Sequence, residues 1–76
     1  MALGILGETE KALMCYNKVL KLDPNFKEAW VVKGMALGGI GTVGEAIECF
    51  DNALRIDPGY KAALRNKQEL LDLINK

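Results

Sequence analysis

Seventy-six residues make one domain with a small core, because a chain of this length buries only about 60% of the surface its unfolded form exposes. Half of the residues are apolar and 26% are charged, which is the balance of a globular domain and not of a disordered one. Ten basic side chains cancel ten acidic ones, and there is no histidine or serine; this argues against nucleic acid and membrane surfaces as partners and against a catalytic or metal-bearing chain.

The first residues, Met1 to Gly7, are apolar but carry no positive leader, no long apolar stretch and no small-residue cleavage site, so no secretory signal is expected. They predict a helix stub of about six residues, far below the roughly 12 to 15 at which an isolated helix becomes even marginal, so the stub depends on packing. From Glu8 to Leu22, Ala12, Leu13, Tyr16, Val19 and Leu20 fall at the three- and four-residue steps of one helical face. Pro24 then disfavours helical geometry at Asp23, and Asn25 suits the turn that follows. A helix over about Phe26 to Gly39 is apolar nearly all round, with Ala29, Trp30, Val31, Val32, Met35, Ala36 and Leu37, so it needs neighbours on more than one side.

Gly39-Ile40-Gly41-Thr42-Val43-Gly44 spells the GxGxxG of a dinucleotide-binding turn, but helices flank it where that motif needs strands. It reads instead as a loose, mobile turn between helices, and no cofactor is expected. The next helix, Val43 to Ile56, carries the stripe Ala46, Ile47, Phe50, Ala53 and Leu54 and ends at Asp57-Pro58, where Gly59 suits the turn. In the last helix, about Tyr60 to Asn75, Arg65, Asn66, Lys67, Gln68, Glu69 and Asp72 line an outer side while Leu64, Leu71 and Ile74 remain apolar, the pattern of a cap.

The chain repeats at an offset of 34 residues, with 15 identities in the 42 pairs that the offset allows. Met1-Ala2-Leu3-Gly4 recurs as Met35-Ala36-Leu37-Gly38, Gly7 falls on Gly41, Ala12 on Ala46, Cys15 on Cys49 and Asp23-Pro24 on Asp57-Pro58. Tyr16 with Phe50 and Phe26 with Tyr60 keep size and polarity, so one packing problem is solved twice.

Those residues resemble the tetratricopeptide repeat, a 34-residue helix–turn–helix unit. Trp30, Gly34, Ala46, Phe50, Ala53 and Pro58 match the family's tryptophan, glycine, alanine, phenylalanine, alanine and proline, while Lys33 and Leu37 depart from its usual leucine and tyrosine. The resemblance implies an all-α chain of antiparallel helix–turn–helix repeats stacked as a short right-handed α-solenoid. Residues 1–26 would be a partial unit of stub plus second helix, 27–60 a complete unit and 61–76 a capping helix. It also implies a non-catalytic module or scaffold that binds a peptide or partner helix on its concave face; a cytoplasmic setting is expected from the two cysteines, too few for a disulfide framework. The groove-facing positions are then Glu28, Val31, Met35, Gly38 and Gly39 on the central helix and Arg65, Asn66, Glu69, Asp72 and Leu73 on the last. Of the basic and amide residues that hold a terminal carboxylate in chaperone-binding members, only Asn66 has a match, so the groove suits an apolar segment with Val31 and Met35 as contacts and Arg65 for an acidic end.

A second expectation is self-association, because Met1, Leu3, Ile5 and Leu6 form an apolar edge with no helix to cover it. Cys15 and Cys49 occupy equivalent repeat positions, too far apart for a disulfide at ordinary helix spacing, and read as small half-buried packing residues in a reducing compartment. Glu45 and Glu48 read as solvated helix carboxylates.

Overall fold

Two aspartate–proline steps divide the chain, and both fold the same way. The computed structural model describes the backbone of residues 2–75 and the side chains of residues 7–75. The Asp23 carboxylate accepts the Asn25 N–H at 3.2 Å and the Asp57 carboxylate accepts that of Gly59 at 3.3 Å, each closing the turn that proline opens. The backbone N–H of Phe26 reaches the Asp23 carbonyl at 3.2 Å, and that of Tyr60 reaches the Asp57 carbonyl at 3.0 Å. The resulting helices are α1 (Ala2–Leu22), α2 (Lys27–Gly39), α3 (Val43–Ile56) and α4 (Lys61–Ile74), with no strand among the described residues.

The glycine-rich segment between α2 and α3 is tighter than the loose turn its composition suggests. Thr42 N–H bonds back to the Leu37 carbonyl at 2.9 Å and Gly41 N–H to that of Gly38 at 3.2 Å, the paired closure of a Schellman motif. Gly41 takes the positive φ of 88° that this closure requires, where a side chain would be strained. The repeat partner of Gly41 behaves differently. Gly7 lies inside α1, so the stub expected before it is not a separate helix but the first turns of one 21-residue helix. Adding residues to an existing helix gains a hydrogen bond per residue, whereas folding about six residues back at Gly7 would order a second turn for little burial.

The core forms where α3 is clasped between α2 and α4. Ala46, Ala53 and Ala63 are fully buried and Phe50 is 1% exposed, so small residues at the crossings let the backbones close around one aromatic ring. Gly34 sits directly against that ring. As its all-round apolar surface implied, α2 has neighbours on more than one side: it packs against the three other helices, while among the described residues α1 packs against α2 alone. The result is a slab of 37 × 37 × 16 Å. Its accessible surface of 5317 Å² exceeds the roughly 4,600 Å² of a compact protein of this mass, because much apolar surface stays uncovered.

Two sequence expectations change here. In α4, Ala62, Ala63 and Leu70 pack inward, whereas Leu64, Leu73 and Ile74 are exposed and Asn66 and Lys67 are half-buried. Leu64 and Ile74 are the repeat counterparts of Trp30 and Ile40, which pack on the core through α2; among the described residues no helix lies against that side of α4. The cysteines also diverge. Both are free; Cys49 is buried and Cys15 exposed, because α2 covers the Cys49 side of α3 and, among the described residues, nothing covers the same side of α1. Burial pushes the Cys49 thiol pKa upward, with Lys33 opposing and Glu45 and Glu48 adding to the rise.

Candidate functional groove

The register of α2 on α4 leaves a groove between them. Gly34, Gly38 and the ring of Phe50 form its floor; glycine in place of larger residues creates the depth. Met35, 53% exposed, and Leu73, 63% exposed, form opposing apolar walls, with Leu70 beneath, and Gly39, Asn66 and Glu69 complete the rim. A long flexible thioether and two leucines around a concave floor suit an apolar side chain more than a charged one.

Of the ten groove positions read from the sequence, Met35, Gly38, Gly39, Asn66, Glu69 and Leu73 meet in this groove. Val31 does not: it is 4% exposed and belongs to the core, so it supports the floor from below and cannot contact a ligand. Glu28 lies instead beside a second apolar hollow, between α1 and α2, with Tyr16, Val19, Phe26, Ala29 and Val32. Arg65 and Asp72 are exposed outside the groove lining, and the Asp72 carboxylate accepts from Gln68 at 2.9 Å. Gly34, Phe50 and Leu70 were not anticipated as lining residues. The spacing of Asn66, Leu70 and Leu73, one face of a helix, carried that signal for Leu70.

The polar chemistry of the groove is sparse. The Asn66 amide donates to the Ala62 carbonyl at 2.7 Å, which fixes its orientation and occupies one of its donors. Among the described residues the two ion pairs lie elsewhere: Lys27 reaches Asp57 and Lys67 reaches Asp51, each at 2.6 Å, clamping α2 and α4 to the α3 unit. The Lys27 ammonium also sits 4.8 Å from the Tyr60 ring centroid. Hydrogen bonding to Lys27 holds the Asp57 carboxyl below its ordinary range and reciprocally raises the Lys27 ammonium. Among the described residues there is no group of three or more histidine, cysteine, aspartate or glutamate side chains able to hold a metal, and no helix long and apolar enough to cross a membrane.

The self-association edge expected at Met1, Leu3, Ile5 and Leu6 lies outside the residues whose side chains are described. A comparison with curated proteins finds no match for the chain. The tetratricopeptide repeat family matches over residues 1–26 and again over 27–60, with α4 following as a further helix. Such repeats generally mediate protein–protein interaction and are typically non-catalytic. With two matched repeats, their shared aspartate–proline turns and a helical stack built on small residues at the crossings, the chain belongs to the tetratricopeptide repeat family.

Proposed function

We propose that the chain is a non-catalytic interaction module whose α2–α4 groove receives an apolar segment of a partner polypeptide. The observation that carries this reading is the meeting of Met35, Leu70 and Leu73 over a floor of two glycines and an aromatic ring, with a single oriented amide at the rim. An apolar side chain entering there is matched by flexible walls, while Asn66 and Glu69 give the flanking backbone polar partners. The carboxylate-clamp mode is disfavoured by the chemistry: Met35 occupies a position where a basic or amide group would serve, and Asn66 already donates inward. Exposed Cys15 as a free thiol suits a reducing, cytoplasmic setting.

The test is a panel of leucine- and methionine-bearing peptides, each with and without a free terminal carboxylate, titrated while the Met35 methyl and Gly38 amide signals are followed by NMR. Shifts confined to the groove, at least tenfold weaker binding by Met35→Glu and indifference to the terminal carboxylate support the reading. Shifts elsewhere, or unchanged binding by a folded Met35→Glu variant, refute it.

A further inference from the structure

Among the described residues, Glu69 is the one charged side chain in the lining of the α2–α4 groove. It is exposed and enters neither of the two ion pairs, and Arg65, four residues before it on α4, lies outside the lining with no bridge to it. The opposite wall has the same sign. Met35, Gly38 and Gly39 belong to the closing turns of α2, whose negative dipole end is fixed beside the groove by the backbone bonds of Gly41 and Thr42, and no basic residue stands in that last turn to offset it. The apolar floor of Gly34, Gly38 and Phe50 therefore lies between a carboxylate and a helix end of negative potential.

We propose that the partner of this groove is a basic polypeptide segment, one that carries a lysine or arginine on the same face as the leucine or methionine it inserts. The inference rests on the reading of the groove as a docking site and adds the sign of the partner's charge. Glu69 and Leu73 are four residues apart on one face of α4, so a lysine whose ammonium meets the Glu69 carboxylate lays its aliphatic stem along Leu73. The apolar side chain beside it settles on Phe50 and the glycines, and the same ammonium gains from the α2 end. A glutamate in its place meets repulsion from both walls. The acidic end that Arg65 suggested in the sequence is thereby reversed, because Arg65 stands outside the groove and Glu69 stands in it. Complementary charge at such a rim selects among apolar segments that the floor alone accepts equally.

Three capped alanine-based nonapeptides test it, each with a central leucine and with lysine, glutamine or glutamate at every second position from it, which places charge beside the leucine in extended and helical forms alike. They are titrated to about 5 mM against the Met35 methyl and Gly38 amide signals at low salt. The lysine peptide is expected to bind about three- to tenfold more tightly than the glutamine peptide, the size of an exposed ion pair aided by a helix end, and the glutamate peptide least tightly. In Glu69→Lys the order of the lysine and glutamate peptides inverts; the comparison is a ratio within one variant, so a general loss of binding cannot mimic it. Equal binding of all three peptides, or an order unchanged in Glu69→Lys, overturns the charge preference and leaves the groove reading standing. If none of the three moves the groove signals, the groove reading fails and the preference with it. Groove signals that shift with protein concentration in the absence of peptide put a second copy of the chain there and overturn the basic partner.

Discussion

Gly34→Ala tests the closest packing found at any described glycine. A Cβ at this position would lie 2.6 Å from Cε1, 2.9 Å from Cζ and 3.0 Å from Cδ1 of Phe50. The ring is 1% exposed and packed among Ala46, Ala53 and Ala63, which are fully buried, so it has room to yield only toward the groove. Forcing an extra carbon into such a core costs about 1–3 kcal/mol. The opposing effect is the better helix propensity of alanine, about 1 kcal/mol in a helix interior. At the middle of that range overpacking wins by about 1 kcal/mol, and the net loss runs up to about 2 kcal/mol, or a fall in melting midpoint of up to about 15 °C for a domain of this size. Gly44→Ala is the matched control: it is helical, exposed and has nothing within 4 Å of its Cβ, so it gains up to about 1 kcal/mol. Thermal and urea melts by circular dichroism compare the two, and Phe50→Leu supplies the second arm of a cycle. If the clash is the cause, Gly34→Ala costs less in the Phe50→Leu background, with a coupling of about 1 kcal/mol. A Gly34→Ala variant that melts at or above the parent, or a cycle that sums to zero, would show that the glycine is not there to admit the ring.

Thiol labelling should separate the two cysteines: Cys15 reacts with a maleimide at the rate of an exposed thiol, while buried Cys49, its thiol pKa raised, reacts only as the core opens; equal rates in the native protein would contradict the packing. The Lys27–Asp57 pair sets a pH dependence. The folded carboxyl titrates below its unfolded value, so its contribution is complete above about pH 4 and is lost as pH falls through the folded pKa. The raised lysine contributes fully below its ordinary 10.5 and loses that contribution as pH rises through its folded value. Asp57→Asn, which keeps an acceptor for the Gly59 N–H, should therefore flatten the acid limb of the melting midpoint below about pH 4; parallel limbs would remove the pair as its cause. Phe50→Ala should cost about 3–5 kcal/mol and leave little native helix signal at ambient temperature; a cooperative melt near the parent's would deny Phe50 its place as the centre of the core.

The helical stack was legible in the sequence because its signals are local and doubled. Aspartate–proline steps stop helices wherever they stand, and the 34-residue offset shows the same packing twice. The all-round apolar surface of α2 correctly implied neighbours on more than one side. What was not legible depends on neighbours that the pattern takes for granted. Val31 sits at a groove-facing position by family register, yet it is buried in the core cluster with Phe50, Ala53 and Ala63. Cys15 matches Cys49 residue for residue, and what decides which is buried is that α2 covers the cysteine side of α3 but packs on another side of α1. Gly7 and Gly41 share a repeat position as well; one turns because a helix packs beyond it, and the other stays helical because continuing the helix is the lower-energy course.

That α1 contacts only α2 among the described residues, while α3 is held on two sides, grades the stability of the molecule along its length. In a stack of nearest-neighbour couplings, the unit with one coupling opens at a smaller free energy than the units with two. Amide exchange should therefore be fastest across Glu8–Leu22, intermediate in α4 and slowest in α3, with α1 detaching as a cooperative unit before the rest unfolds. A ligand that bridges α2 and α4 would reinforce the already firm end of this gradient, whereas anything laid over α1 would raise its weak end and bring the whole chain closer to a single all-or-none transition.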